Sequence, residues 1–148
     1  MRLQIRRVFA APREKVYQAW IEREGLEKWM CRDVPTHRVK YLELEVKTGG
    51  RYVMEVTDTA TGEVYLGQGA FRDVTPPEKL VFTWAWNKRQ RDGSGVPLEP
   101  EAQVTVEFWE RGSSTEVLLT HEFFRTEKTA KSTEQGWQGC FDMLERYL

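Results

Sequence analysis

The chain has 148 residues and a formal net charge of -1, with acidic and basic side chains interspersed. This length fits one domain, residues 1–148, and allows a hydrophobic core. The charge pattern disfavours nucleic-acid binding, and the lack of a long apolar stretch disfavours membrane insertion. The first residues lack the apolar run of a signal peptide, so we expect a cytoplasmic protein in which Cys31 and Cys140 are reduced thiols.

The first third of the chain predicts one strand and two short helical segments. Alternation favours a strand over Arg2–Phe9, and Pro12 is suited to the first turn of a helix because it lacks an N–H. We expect Gly25 to break this helix and a second short turn to follow it, ending near Pro35.

The middle of the chain is rich in strand patterns. Residues 41–47 alternate, which places Leu42, Leu44 and Val46 on one predicted face. The strand at residues 63–74 contains Gly67 and Gly69, and glycine inside a strand marks a bulge or a close approach of another element. Glycine-containing turns on both sides of residues 52–56 predict that the central strands form a hairpin.

The last third predicts a long loop, a hairpin and a helix. Residues 87–101 are polar and rich in glycine and proline, which predicts a loop that is either a lid or a plain connection. Residues 126–148 predict an amphipathic helix, although a capping box at Ser132 allows a later start. Its predicted apolar stripe consists of Ala130, Trp137, Phe141, Leu144 and Leu148, with Glu134 in line.

This order of elements predicts an α+β fold. Sequential strands joined by short turns pair as antiparallel neighbours, and the long helix needs a surface to cover. We therefore expect a curved antiparallel sheet with two short helices after the first strand and a long C-terminal helix packed on one side.

Several segments together resemble the START-like (SRPBCC, or helix-grip) superfamily. More narrowly, the chain is similar to bacterial relatives of the domain that activates the ATPase of heat-shock protein 90. No single segment is specific, but their order and spacing are. The segments are residues 9–20 (FAAPREKVYQAW), 26–29 (LEKW), 49–52 (GGRY), 67–71 (GQGAF), 76–84 (PPEKLVFTW) and 115–121 (TEVLLTH), followed by Gly136, Trp137 and Leu144.

The resemblance implies a helix-grip fold with a cavity between the sheet and the long helix. It implies no single activity, because members bind lipids or other apolar ligands, act as cyclases or contact chaperones. Where relatives often carry another aromatic residue or a proline-rich stretch after the LEKW segment, this chain has Met30, Cys31 and Arg32. The mouth of the pocket is therefore expected to differ.

Large side chains on the predicted inner faces form either a filled core or the lining of such a cavity, and the sequence leaves both open. A cavity of this kind suits an apolar or aromatic ligand, including a lipid. The candidate ligand-binding residues are Met54, Phe71, Trp84, Trp86, Phe108, His121, Trp137 and Phe141.

His121 is the most informative polar residue because it alternates with apolar neighbours and should face the interior. It is either a neutral, hydrogen-bonded core histidine, or a group that orients a ligand or transfers protons near neutral pH. Glu134 is either paired, exposed near the start of the helix, or part of the same site.

Neither a metal site nor a nucleophilic site is predicted. The two histidines and two cysteines lack the close spacing of a zinc site, and no nucleophile elbow is present. We therefore expect no metal and no cofactor, and we favour a binding domain for a hydrophobic small molecule over an enzyme. A chaperone-associated interaction domain is the alternative, disfavoured because such activators usually carry a further domain; a cyclase or hydrolase ranks lower. The oligomeric state stays open, with a dimer as one alternative.

Overall fold

The computed structural model describes residues 2–32, 34–89, 95–97, 101–122 and 127–148. Within these residues it contains eight strands and three helices. In chain order they are β1 (Arg2–Phe9), α1 (Arg13–Ala19), α2 (Arg23–Trp29), β2 (His37–Leu44), β3 (Arg51–Asp58), β4 (Val64–Thr75), β5 (Lys79–Arg89), β6 (Gly95–Pro97), β7 (Ala102–Arg111), β8 (Ser114–Glu122) and α3 (Glu127–Tyr147).

The strands form one antiparallel sheet, which confirms the predicted α+β helix-grip class. Seven of them pair in the order β1-β8-β7-β5-β4-β3-β2, and β6 pairs with β5 outside this path. The first strand joins the last one, with Ile5 opposite Leu119, so the sheet is not built from sequential neighbours alone. This pairing leaves β2 at one edge and β1 at the other.

The long helix covers the inner face of the sheet through the predicted apolar stripe. Trp137, Phe141 and Leu144 are buried, whereas Glu134 is exposed, as the alternative of a position in water predicts. The helix extends from Glu127, so the capping box at Ser132 does not mark its start.

Arg7 of β1 attaches the helix to the edge of the sheet. Its guanidinium donates to Asp142 Oδ1 at 2.7 Å and to Gln138 Oε1 at 2.6 Å, and it lies 5.6 Å from the centre of the Phe141 ring. The ring of Phe141 in turn meets Phe9 edge to face, with centroids 5.7 Å apart. Polar and aromatic contacts therefore fix the helix against the first strand.

The helix break predicted at Gly25 is wrong. The first helix ends at Ala19, and Gly25 lies inside the second. A Cβ atom at this position would lie 3.1 Å from Tyr147 Oη, so the glycine allows α2 and the end of α3 to approach. The lack of a side chain at Gly25 thus allows helix packing and does not mark a turn.

The face predicted for Leu42 is also wrong. A register shift between Tyr41 and Glu43 interrupts the pairing of β2 with β3, and Leu42 is exposed while Tyr41 is buried. The Tyr41 N–H donates to Glu27 Oε2 at 2.8 Å, and its carbonyl accepts from the Arg23 guanidinium. Side chains of α2 thereby satisfy backbone hydrogen-bonding groups at the open edge of the sheet.

The loop predicted over residues 87–101 is only partly correct. Strand β5 continues to Arg89, with Asn87 and Lys88 paired to β4, and residues 95–97 pair back onto β5. Cross-strand pairing extends the strand into this polar segment, and the Lys88 ammonium lies 3.0 Å from Glu63 Oε1. Residues 90–94 and 98–100 lie outside the described residues, as does Thr126.

The two glycines of β4 confirm the predicted close approach. A Cβ atom on Gly69 would lie 2.0 Å from the Thr83 carbonyl oxygen, and one on Gly67 would lie 2.9 Å from Met54 Cε. The register shift in this strand lies instead between Phe71 and Asp73. Glycine therefore admits neighbouring strands and side chains rather than forming the bulge.

Candidate functional site

An apolar cleft, here called the aromatic cleft, lies between the sheet and the segment formed by α1 and α2. Its empty volume, including the part open to solvent, is about 290 Å³. The centre of a water-sized molecule fits in only about 20 Å³ of this volume. Its lining consists of Trp20, Leu26, Met30, Tyr41, Leu44, Tyr52, Phe71, Phe82 and Trp84. The cleft can therefore hold about one water molecule as it stands, and a larger ligand requires side chains to move.

The turn between α1 and α2 positions one wall of the cleft. Trp20 caps the C-terminus of α1, and its ring lies 4.7 Å from that of Trp29. The Trp29 indole N–H donates to the Ala19 carbonyl at 2.8 Å, which satisfies a carbonyl at the end of the helix. Met30 ends α2 in an extended conformation and completes this wall.

Tyr52 is central to the opposite wall. Its ring contacts those of Tyr41, Phe71, Phe82 and Trp84, with centroid separations of 5.7 to 6.5 Å. Its hydroxyl donates to the Thr83 carbonyl at 2.6 Å. This wall is therefore a set of interlocking aromatic rings held by one buried hydrogen bond.

Burial keeps the tyrosines of the cleft protonated. It raises the pKa of Tyr52 and of Tyr41 well above the usual value, with smaller contributions from nearby acidic groups. Among the described residues, the lining contains no carboxylate, histidine or thiol. Neutral hydroxyls and rings suit binding of an uncharged ligand better than proton transfer.

One residue of the lining, Trp20, has a buried donor without an acceptor among the described residues. Trp20 is 3% exposed, and among the described residues no acceptor lies within hydrogen-bond distance of its Nε1. An unsatisfied buried N–H costs about 1–3 kcal/mol. The interior therefore contains a polar group that an acceptor on a bound molecule could satisfy.

His121 forms a buried hydrogen bond with the long helix. The Trp137 indole N–H donates to His121 Nδ1 at 3.0 Å, and the histidine is 1% exposed. Burial lowers its pKa from 6.5 to about 4, so the imidazole is neutral at physiological pH. This geometry matches the neutral core histidine, the first of the two interpretations of His121.

The pair formed by His121 and Trp137 lies directly behind the cleft. The Trp137 ring centre is 5.3 Å from that of Trp84 and 6.1 Å from that of Trp20, both of which line the cleft. A rearrangement of either tryptophan would extend the cleft toward His121.

The eight candidate residues are divided between the cleft and the surrounding core. Phe71 and Trp84 line the cleft. Met54, Phe108 and Phe141 are buried in the core, His121 and Trp137 form the pair behind the cleft, and Trp86 is half-buried beside Gly67. Contact of any of the eight with a ligand stays a prediction.

Sequence reasoning missed most of the lining. Tyr52 and Phe82 share faces with candidate residues and could have been found by the same alternation. Trp20, Leu26 and Met30 carry no such signal, because only the packing of α1 and α2 brings them to the sheet. Tyr41 and Leu44 flank the bulge in β2, which alternation does not predict.

Membrane-spanning helices and clusters of metal ligands are both absent from the described residues. No helix in this part of the chain is long and apolar enough to span a bilayer. Nor do three or more histidine, cysteine, aspartate or glutamate side chains come together there as metal ligands. The expected absence of a metal and of a cofactor stays a prediction.

Solved structures with the same fold cover nearly the whole chain. Protein CV1439 from Chromobacterium violaceum has a TM-score of 0.81 at 22% identity, covering 100% of this chain and 97% of that one. The AHSA1 protein from Silicibacter pomeroyi has a TM-score of 0.81 at 20% identity, with 99% and 96% covered. The AHSA1-like protein from Aeromonas hydrophila has a TM-score of 0.78 at 22% identity, with 99% and 91% covered. At these identities the likeness establishes the fold.

The family follows from the sequence itself. No curated protein matches the chain. The family model described as "Activator of Hsp90 ATPase homolog 1-like protein" matches residues 10–148, nearly the whole length, and its solved members share the START-like fold described above. The chain therefore belongs to the family of proteins like activator of Hsp90 ATPase homolog 1.

Proposed function

We propose that this domain binds a compact, largely apolar small molecule in the aromatic cleft. The observation that carries the proposal is the lining, in which six of the nine side chains are aromatic: Trp20, Tyr41, Tyr52, Phe71, Phe82 and Trp84. Aromatic walls favour flat ring systems, which stack on them and bury large areas. The small volume favours a ring system over a long acyl chain, so a lipid is the less favoured ligand.

The ligand is expected to carry one hydrogen-bond acceptor. Trp20 lines the cleft, and its indole N–H is buried without an acceptor among the described residues. A carbonyl or similar oxygen on the ligand would remove the cost of this unsatisfied donor. A hydrocarbon of the same shape would leave the cost in place, so the difference in affinity between the two isolates this contact.

The predicted residues behind the cleft would contact a ligand only after a rearrangement. Trp84 separates the cleft from the Trp137 and His121 pair, with ring centres 5.3 Å and 6.5 Å away. If Trp84 changes rotamer, those two residues become part of the lining. The predicted cavity under α3 is thus an extension of the aromatic cleft in this proposal.

The test uses a pair of probes and a matched pair of variants. The probes are 2-acetylnaphthalene and 2-ethylnaphthalene, which have similar shapes and differ in the carbonyl acceptor. Leu44→Trp fills the cleft because Leu44 lines it, whereas Leu42→Trp adds the same bulk two residues away at an exposed position. Binding is measured by calorimetric titration, and folding by thermal denaturation.

We expect the ketone to bind more tightly than the hydrocarbon, by about tenfold, which corresponds to about 1.4 kcal/mol. Leu44→Trp should abolish binding, and Leu42→Trp should leave it unchanged. Trp20→Phe should remove the preference for the ketone while retaining an aromatic wall. Equal affinity of all variants for both probes would place their binding elsewhere on the protein.

Absence of binding by either probe, together with a more stable Leu44→Trp variant, would identify the cleft as a packing defect. The chaperone-associated interaction domain would then be the next function to test, and a cyclase or hydrolase activity would lose its site. The cytoplasmic location and the extent of the domain over residues 1–148 stay predictions, and the oligomeric state stays open.

A further inference from the structure

The two cysteines, 109 positions apart in the sequence, meet in the fold. Cys31 follows the end of α2, and Cys140 lies in α3. The Cys31 backbone N–H donates to Cys140 Sγ at 3.1 Å. No bond joins the two sulfur atoms in the structure. The hydrogen bond holds the Cys140 sulfur against the backbone of Cys31.

The backbone distances are compatible with a disulfide. The path from Cys31 Cα through its nitrogen to Cys140 Sγ and Cα spans about 7.4 Å when fully extended, and the bend at the nitrogen, whose N–H points away from Cα, shortens it. Most disulfides have Cα atoms separated by about 4.4–6.8 Å. The two Cα atoms therefore lie close to the range of separations that a disulfide bridges.

The two thiols differ in accessibility in a way that suits stepwise oxidation. Cys31 is half-buried at the surface and has a φ of 54°, a left-handed conformation that is uncommon for residues other than glycine. Cys140 is 4% exposed. A small oxidant would therefore reach Cys31 first, and Cys140 would be positioned as the second thiol.

We propose that Cys31 and Cys140 form a dithiol pair that a peroxide oxidises to an intramolecular disulfide. The Cys31 sulfur attacks the peroxide, the O–O bond breaks, and one oxygen stays on sulfur as a sulfenic acid while the other leaves as water. The Cys140 sulfur then forms the S–S bond, the S–O bond of Cys31 breaks, and the hydroxide leaves as water with the thiol proton. Two thiols are oxidised and one peroxide is reduced to two waters.

The disulfide would fix one wall of the aromatic cleft. Met30, which precedes Cys31, lines the cleft, and Tyr41 of the lining lies close enough to both thiols that they contribute to its raised pKa. A covalent link to α3 would restrict the movement of this wall. The disulfide itself does not depend on whether the cleft binds a ligand.

The test is intact-mass analysis of the folded protein after treatment with hydrogen peroxide. Remaining thiols are alkylated with N-ethylmaleimide under denaturing conditions. The wild type should lose about 2 Da, take up no maleimide and regain two alkylation sites after dithiothreitol. Cys31→Ser should lose no mass and keep one alkylation site, since Cys140 is buried. Cys140→Ser should accumulate oxygen adducts on Cys31, because no second thiol is present to form the disulfide.

Three results would overturn the proposal. The first is two maleimide adducts per wild-type molecule after treatment with a peroxide excess that oxidises the Cys140→Ser variant. The second is a wild-type mass gain of two or three oxygens, which means that Cys31 proceeds to sulfinic or sulfonic acid before Cys140 attacks. The third is a disulfide-linked dimer, which would place Cys31 opposite a second copy. If Cys140→Ser does not fold, the wild type and Cys31→Ser decide the question.

Discussion

Acidification isolates the energetic role of the buried histidine. Burial lowers the pKa of His121 from 6.5 to about 4 in the folded protein. In the unfolded chain the imidazole has its ordinary pKa of about 6.5. Between these two values the unfolded state binds a proton that the folded state does not, so the free energy of unfolding decreases as the pH falls.

The size of the effect follows from the shift. A change from 6.5 to about 4 corresponds to about 3 kcal/mol, at about 1.4 kcal/mol per pKa unit. The contribution of the neutral histidine is fully present above pH 6.5 and decreases steadily below it. The loss is nearly complete at pH 4, where the folded imidazole is half protonated, and it is complete below pH 4, where both states are protonated.

Urea denaturation at pH values from about 7 down to about 4 measures this loss directly. His121→Gln provides the comparison, because a glutamine oxygen can still accept the Trp137 N–H but does not titrate. The variant should lose about 3 kcal/mol less than the wild type over this range. Carboxylates that titrate in the same range contribute equally to both proteins and cancel in the difference.

His37→Gln is the matched control, because His37 is half-buried at the surface, 4.0 Å from Asp58, and the variant leaves His121 in place. It should retain most of the wild-type pH dependence. Identical pH dependence of the wild type and His121→Gln would refute the argument, and would mean that the buried site accepts a proton at little cost.

Three further substitutions test the packing of the helix and the sheet by chemical denaturation. Gly136→Ala should stabilise the protein by about 1 kcal/mol, because a Cβ atom there meets nothing within 4 Å and alanine favours the helix. Gly69→Ala should destabilise it by about 3 kcal/mol, because the same methyl group would lie 2.0 Å from the Thr83 carbonyl oxygen. Equal effects of these two glycine substitutions on stability would contradict the contact geometry. Arg7→Met should lower stability by about 1 kcal/mol and weaken its dependence on salt, because the 2.7 Å bond to Asp142 is lost; unchanged stability would mean that this bond contributes nothing net.

Hydrophobic alternation predicted most of the sheet because one face of each strand is buried. Tyr52, Met54 and Val56 are buried as their spacing indicates, and so are Leu80, Phe82 and Trp84. The prediction failed at Leu42, where side chains of α2 bond to the edge-strand backbone and a bulge shifts the register. Contacts between distant segments override a local pattern there.

The sequence does not show whether a glycine is required by a turn or by a close contact. Gly62 adopts a φ of 77° in the turn between β3 and β4, as a glycine in a turn predicts. Gly25 has the same local appearance but lies inside a helix, where it makes room for Tyr147. The contact joins residues 25 and 147, and no pattern within a short window contains that information.

The candidate site was harder to predict than the fold, because a cavity is what packing leaves unfilled. Alternation identifies which side chains of a strand point inward, and it found Trp84. It cannot distinguish an inward side chain that meets another side chain, such as Phe141 against Phe9, from one that borders open space.

That distinction depends on where α1 and α2 lie over the sheet. Hydrogen bonds from Trp29 to Ala19 and from Tyr41 to Glu27 fix this placement, each between residues 10 or more positions apart. The same placement brings Cys31 to Cys140 and leaves the Trp20 N–H buried beside the cleft. A sequence pattern thus predicts that aromatic side chains surround the site. The few polar contacts of α2 decide which of these side chains a ligand can reach.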